Sequence, residues 1–410
     1  MENEKLKMEN YKQTELGHIP DDWEVNRFTD IAELIHGFQF REEHFAENGR
    51  FGVIKIGNLT YQGNISLDNL SKSDCEGINN YERLFLRRGD ILMALTGGTL
   101  GKMSIFNLEE NRYLQNYRVG KFEPNEKSIK NYIYYLLSST YVQKRIEDNV
   151  NEAAQPNFGK QDFDKIKIPL PPLPEQKKIA DCLSTWDCAI EKQSQLINAL
   201  TQRKKALMQQ LLTGKKRLPG FEGKWNLNSI NDLFIFKNGK AHENDIDENG
   251  KYILVNSKFI STDGEISKKT NSNLAPLEVN DLVFVMSDVP NGKALAKFCL
   301  IKEDNLYTLN QRIGLLKIKK GNPIFMYYLL NRNSYFLMFD NGVGQTNLRK
   351  DDILDCPLNI PSLSEQTAIA EILATADREL QLQKEKLAQL QTQKKGLMQV
   401  LLTGKKRLLN

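Results

Sequence analysis

The sequence predicts a mixed α/β (α+β) protein built as two similar globules, each followed by a long coiled-coil helix. Three observations predict it: an internal repeat covering most of the chain, short β-like runs in both halves, and apolar residues spaced by alternating fours and threes after each globule. LLTGKKRL stands at 211–218 and again at 401–408, an offset of 190. At that offset PEQKKIA (174–180) faces SEQTAIA (364–370). Upstream the offset drifts: GDILMAL at 89–95 faces NDLVFVM at 280–286, YYLL at 134–137 faces YYLL at 327–330, and Trp23 faces Trp225. Drifting offsets between fixed anchors describe one fold used twice with different loops.

Along the chain, residues 1–19 form a charged N-terminal segment. In the first globule, 20–170, the runs FGVIKIG, GDILMALTGG, GKMSIF and YRVGKFE are strand-like pieces broken by Gly, Asn and Asp, and 129–147 is helical. The first helix and its linker occupy 171–221. KIKIPLPPLPEQ runs a strand into an extended Pro segment, because Pro fixes its own φ and disfavours helix in the residue before it. The helix then starts at the PEQ step. Its seam reads Ile179, Leu183, Trp186, Ile190, Gln193, Ile197, Leu200, Lys204, Leu207 and Leu211. Thr213-Gly214 stops it, with KKR just beyond. The second globule, 222–360, has its helical stretch at 324–339, and the second helix and tail occupy 361–410. That seam reads Ile369, Leu373, Ala376, Leu380, Gln383, Leu387, Leu390, Lys394, Leu397 and Leu401. From 179 to 211 such a helix is a rod of about 50 Å.

Composition excludes several classes. With 40% hydrophobic and 26% charged residues the chain is an ordinary globular protein, not a disordered one. No run approaches a membrane span and the start, MENEKLKMENYKQTEL, is charged, so the expected place is the cytoplasm, with no membrane partner. Five scattered cysteines give neither a disulfide framework nor a zinc site. His18, His36, His44 and His242 show no metal-ligand spacing and are not shared by the halves, which leaves acid/base, zinc and triad mechanisms without parts. The chain is therefore expected to be non-catalytic, with no metal. GGTLGKM at 97–103 lacks the spacing and the Ser/Thr of a phosphate loop. QPNF at 155–158 has the wrong order for the tetrapeptide with which amino-methyltransferases grip a base, its twin is QTNL, and no Gly-rich cofactor loop follows a strand. A net charge of +4 is too small to steer DNA in bulk, so any DNA contact must come from local placement.

The halves do share polar loops. Gly101-Lys102 coincides with Gly292-Lys293, Gln115-Asn116-Tyr117-Arg118 with Leu309-Asn310-Gln311-Arg312, and Gln155-x-Asn157 with Gln345-x-Asn347. Asn and Gln can bond adenine edges, Arg guanine, and Lys phosphates. The candidate DNA-contact set is Lys55, Asn58, Thr99, Lys102, Asn116, Arg118, Gln155 and Asn157, with Asn256, Lys258, Asn291, Lys293, Gln311, Arg312, Gln345 and Asn347 in the second half. The competing reading of each is a turn residue tied to the backbone.

Two divergent globules, each followed by a near-identical P-x-P-x-x-x-E-Q or S-E-Q helix ending LLTGKKRL, resemble the DNA specificity subunit of type I restriction–modification systems. YKQTELGHIPDDWEV at the start and RLPGFEGKW at the second globule's entry extend the likeness over essentially the whole chain. The resemblance implies two target recognition domains, an antiparallel coiled coil, two modification (methyltransferase) subunits and restriction subunits as partners, and double-stranded DNA as ligand. S-adenosylmethionine, ATP and Mg then belong to the partners. Globules related by a pseudo-twofold would read half-sites at least one turn, about 34 Å, apart. The competing class is a stand-alone bipartite DNA-binding regulator.

An antiparallel pair with flush ends places residue n of the first helix opposite 580 − n of the second. Lys204 then faces Ala376, Lys394 faces the Trp186 indole for a cation–π contact, and Gln193 and Gln383 lie beside Leu387 and Ile197. A parallel pair would bury two ammonium groups together, the poorer option.

Overall fold

The structure, a computed structural model, describes residues 10–60, 63–150, 157–242, 245–289, 292, 294–340 and 342–408. It divides into two units, Met1–Gln193 with Lys386–Asn410, and Ser194–Glu385. Each unit thus holds one globule and a part of both long helices.

The first unit opens with a hairpin of β1 (Tyr11–Thr14) and β2 (Gly17–Pro20). There follow β3 (Glu24–Arg27), β4 (Ala32–His36), β5 (Phe51–Ile54), β6 (Ser71–Ser73), β7 (Ile91–Ala94), β8 (Met103–Ile105), β9 (Tyr113–Gln115) and β10 (Val119–Pro124). Then come α1 (Lys130–Ser138), α2 (Thr140–Val150), α3 (Lys160–Asp164), β11 (Lys167–Leu170) and the long α4 (Leu173–Leu211), which continues into the second unit. One sheet is antiparallel in the order β4-β10-β7-β8, with Phe122 facing Leu34 on one side and Ile91 on the other. The other has the order β6-β5-β9, where β5 runs parallel to β9. β11 closes on β3.

The second unit continues with β12 (Asn226–Ser229), α5 (Ile230–Leu233), β13 (Phe234–Asn238), β14 (Tyr252–Val255), α6 (Ser257–Ser261), β15 (Lys268–Thr270), β16 (Leu282–Val285), β17 (Ser287–Asp288), β18 (Phe298–Leu300), β19 (Tyr307–Leu309) and β20 (Ile313–Ile318). It ends with α7 (Pro323–Leu330), α8 (Ser334–Leu337), β21 (Thr346–Asn347), α9 (Lys350–Leu354), β22 (Pro357–Ile360) and α10 (Leu363–Leu401). Its sheets run β13-β20-β16-β18, β15-β14-β19 and β12-β22, the orders and directions of the first unit. Loops differ: the 3₁₀ turn Ile56–Asn58 stands where the second unit has α6, and a 3₁₀ turn at Tyr81–Leu84 is a feature of the first unit.

An unbroken apolar run makes a strand buried on both faces. In β7, Ile91 and Met93 point to a core with Trp23, Phe28, Phe122 and Tyr132, while Leu92 and Ala94 point to a second core with Ile54, Leu86 and Phe106. In β16, Leu282 and Phe284 join Phe325 and Phe336, while Val283 and Val285 join Val255 and Ile260. Full burial of such a side chain contributes roughly 1.5–3 kcal/mol.

Both long helices span 39 residues, about 58 Å. They begin directly after Pro171-Pro172 and Pro361-Ser362, so Ser364 in place of Pro174 leaves the start unmoved. Each ends before a glycine at positive φ, +69° at Gly214 and +72° at Gly404, where a Cβ is strained. Ile179, Leu183, Leu211, Ile369, Leu373, Leu380 and Leu401 are buried. Trp186, Ile190, Ile197, Leu200, Leu207, Ala376, Leu387, Leu390 and Leu397 are half-buried among exposed neighbours, as a seam requires. No helix of the described residues is long and apolar enough to cross a membrane.

Candidate nucleic-acid interface and helix junctions

In the first unit the strand ends gather the candidate loops at one edge. Because β5 and β9 run parallel, they finish together, and the Asn116 N–H donates to Ile54 O at 3.2 Å. This sets the loop beginning at Lys55 beside the 116–118 turn. β10 leaves that turn antiparallel to β7, and the Leu95 N–H donates to Arg118 O at 3.0 Å, which brings up the loop 96–102 with Thr99 and Lys102. Asn157 bridges to Thr96 and the Phe158 N–H donates to Leu95 O at 2.9 Å. Lys55, Thr99, Lys102, Asn116, Arg118 and Asn157, far apart in sequence, thus share one edge. Gly37 permits it, since a Cβ there would lie 2.1 Å from Gln115 O.

The second unit repeats the arrangement. The Asn310 N–H donates to Val255 O at 3.1 Å, Asn347 pairs with Ser287, the Leu348 N–H donates to Met286 O at 2.9 Å, and a Cβ on Gly239 would lie 2.1 Å from Asn310 O. Asn256, Lys258, Gln311, Arg312, Gln345 and Asn347 therefore also converge. A cavity of about 350 Å³ beside them is lined by Phe339, Gln345, Thr346, Asn347, Arg349 and Asp352. Gln155, Asn291 and Lys293 lie outside the described residues.

Burial sorts the candidates. Asn58 is a correction: it is buried, its Oδ1 accepts the Lys55 N–H at 3.0 Å and its Nδ2 donates to Ser66 O at 3.0 Å, so it builds the turn rather than facing outward. Asn256 caps α6 by accepting the Phe259 N–H at 2.9 Å. Asn116 accepts the Arg118 N–H at 3.2 Å, and Gln345 donates to the Ser287 hydroxyl at 2.7 Å. Arg118, Asn157, Lys258, Gln311, Arg312 and Asn347 are exposed. The sequence reading omitted Tyr117, exposed and stacked on His36 with ring centroids 4.9 Å apart, and Lys240, exposed and bridged to Asn310. The Gly37-Phe38 and Gly239-Lys240 pairs share the offset of the two tryptophans, the signal that could have found Lys240, and Tyr117 stands within the shared Asn116-x-Arg118 loop.

At the helix ends the repeated motifs explain one another. In the first unit Arg407, from the second KKR, pairs bidentately with Glu175 of PEQ at 2.6 and 3.1 Å and also reaches Asp22 at 2.7 Å. The Trp23 indole donates to the same Glu175 carboxylate at 2.9 Å. These bonds hold the Arg407 guanidinium above its ordinary pKa. In the second unit Arg217, from the first KKR, pairs bidentately with Glu365 of SEQ at 2.6 and 2.7 Å. The neighbouring glutamines serve the globules: Gln176 accepts the Ile129 N–H at 3.1 Å and Gln366 accepts the Asn322 N–H at 2.9 Å. Gly404 packs on Trp23 and Gly214 on Trp225.

The helices run antiparallel within each unit. Lys394 pairs with Asp187 at 2.5 Å in the first, and Lys204 with Asp377 in the second. These carboxylates lie one residue beyond the flush-end partners Trp186 and Ala376. The rings near the two ammonium groups are Tyr135 at 5.3 Å and Tyr328 at 5.6 Å, not Trp186. A half-exposed carboxylate in reach outcompetes an indole face for an ammonium. The small Ala376 side chain does leave room, in a cleft of about 280 Å³ lined by Leu200, Lys204, Leu207 and Ile372.

Paired helices whose ends lock crosswise on two like globules match a known domain. The profile of the type I restriction modification DNA specificity domain matches residues 20–202 and again 222–392. The chain belongs to this specificity family. Among specificity relatives, the type I restriction enzyme MjaVIII specificity subunit of Methanocaldococcus jannaschii is 34% identical over 212 residues, 51% of this chain and 49% of that protein. The chain thus spans about half the length of that relative. The type I restriction enzyme StySPI specificity subunit of Salmonella potsdam is 21% identical over 403 residues, 88% of this chain and 84% of that one. The crystal structure of the type I restriction–modification S subunit from M. genitalium shares the fold, with TM-score 0.57 at 16% identity, covering 93% of this chain and 96% of that one. A chain from a solved type I R-M system gives TM-score 0.61 at 14% identity, covering 95% and 99%.

Proposed function

We propose that this specificity-family chain is the DNA-reading component of a type I restriction–modification enzyme and that each globule reads one half of an asymmetric bipartite target. The observation that carries this reading is the pair of loop clusters: one backbone scaffold presents Asn116-Tyr117-Arg118 in one unit and Asn310-Gln311-Arg312 in the other. Like scaffolds that share an exposed arginine and differ beside it, Tyr117 against Gln311, suit two different half-sites, with Arg118 and Arg312 at base edges and Lys55, Lys102 and Lys258 at phosphates. The paired helices set the spacer and offer equivalent surfaces to two methyltransferase subunits, with restriction subunits joining the complex. The chain itself is non-catalytic and works in the cytoplasm; S-adenosylmethionine, ATP and Mg are handled by the partners.

The test is an exchange. Replacing residues 20–170 with the matching domain of another specificity subunit changes one half of the methylated target and leaves the other half and the spacer alone. Loss or change of both halves overturns modular reading. Copurification addresses the regulator alternative: a specificity subunit comes with a methyltransferase, whereas a regulator binds DNA tightly alone.

A further inference from the structure

One side-chain constellation occurs in both units and belongs to neither the loop edge nor the helix ends. In the first unit Asp187 of α4 takes the Lys394 ammonium of α10 on Oδ1 and the Tyr135 hydroxyl of the globule on Oδ2, at 2.7 Å. In the second, Asp377 of α10 takes the Lys204 ammonium of α4 on Oδ1 and the Tyr328 hydroxyl on Oδ2, at 2.6 Å. Each carboxylate therefore joins both long helices to one globule. Tyr135 and Tyr328 are buried, and the lysine side chains are only 17% and 23% exposed. Burial, reinforced by the bond to each aspartate, pushes both phenols far above their ordinary pKa, so they remain donors.

A lysine at a seam position costs stability and specifies register. Sliding one helix past the other by a heptad keeps apolar seam positions in contact. It places Lys204 at Ala370 or Lys384 in place of Asp377, and Lys394 at Ala180 or Ser194 in place of Asp187. Neither slip offers a carboxylate at the equivalent position, while each aspartate stays fixed to its own globule through the tyrosine hydroxyl. Helix register and the seating of each globule are thus one network, and the apolar seam alone does not fix them.

We infer that Lys204–Asp377–Tyr328 and Lys394–Asp187–Tyr135 are positioning residues for target selection, which make the complex reject DNA whose two half-sites are wrongly spaced. The inference rests on the bipartite reading proposed above. None of the six residues lies in the candidate DNA-contact set.

The test uses the chain in complex with its methyltransferase partner and maps methylated sites by spacer length. Asp187→Ala with Asp377→Ala raises modification of targets one base pair too long or too short by about tenfold, with the recognised bases unchanged. The charge swap Lys204→Asp with Asp377→Lys, made alongside the mirrored swap at Lys394 and Asp187, re-forms the ion pairs between the helices without the tyrosine acceptors and returns the spacing preference to the level of a variant that lacks only the tyrosine bonds. Tyr328→Phe, which keeps the ring and removes the bond, gives a smaller relaxation. An unchanged spacer profile in the alanine variant overturns the inference, and so does a loss of modification at every spacer that the swaps leave unrepaired. A wild-type complex that modifies no bipartite target would sink the DNA reading itself, a separate result.

Discussion

The two helix-end junctions and the two loop edges are built on opposite terms. At the junctions the side chains themselves repeat: a buried glutamate, a bidentate arginine from the other copy of the motif, a glutamine clamping the globule and a glycine on a tryptophan. At the edges the backbone repeats together with a few polar side chains, Arg118 with Arg312 and Asn157 with Asn347, and exposed positions between them differ, Tyr117 against Gln311. The junctions also differ in one respect. Trp23 is fully buried and donates to Glu175, whereas Trp225 is half-buried and its indole N–H has no partner among the described residues. Contacts within the repeat hold whole sets of side chains constant at the junctions, whereas at the solvent-facing edges constant and variable positions stand side by side.

Substituting the two tryptophans breaks this comparison most strongly. Trp23→Ala destabilises its unit by about 4 kcal/mol, and Trp225→Ala, starting from a half-exposed ring, by about 2 kcal/mol. Urea unfolding of the two variants measures the difference, and equal losses would erase the distinction between the junctions.

At the edges, Arg118→Ala leaves the unfolding midpoint unchanged and relaxes one base position of the methylated target by roughly 1–3 kcal/mol. Arg312→Ala does the same in the other half-site. A uniform loss on specific and random DNA would reassign both arginines to phosphates.

The carboxylates give the next effect. Glu365→Gln costs about 2 kcal/mol, because Arg217 loses its carboxylate partner. Glu175→Gln costs about 1 kcal/mol, because Arg407 keeps Asp22 and the Trp23 indole keeps an oxygen acceptor. Thermal melts at neutral pH rank the pair, and the reverse order would show that the shared network is the more fragile one. Asn58→Ala costs a similar amount, about 1 kcal/mol through loss of its turn bonds, with the recognised bases untouched. A changed methylation target in that variant would return Asn58 to the readers.

The duplication, the strand runs, the helix stops at Gly214 and Gly404 and the seam positions were legible because they rest on spacing, which a sequence displays directly, whereas the antiparallel direction came from the family resemblance. The partners of the seam lysines were not legible. Asp187 and Asp377 sit one step off the seam, and Tyr135 and Tyr328 come from helices about fifty residues upstream, so no periodic pattern connects them. The candidate polar residues show a second limit. Asn58, Asn116 and Asn256 have the donors and acceptors that suit a base, and the same atoms suit a turn or a cap; only burial and partners separate the two uses.

Residues 386–408 have a further consequence for biosynthesis. Leu401 and Leu402 complete the core around Ile19, Trp23, Ile179 and Leu183, and the Tyr11 hydroxyl bonds Gly404 O at 2.9 Å. The second unit, in contrast, is a single uninterrupted stretch of chain. On the ribosome, where about 5–20 residues emerge each second, the globule translated first is therefore finished last. Until residues 386–408 emerge, the apolar ends of its helices lack their cover, and nascent chains stalled before that point present a surface for chaperones while the later-translated half is already closed.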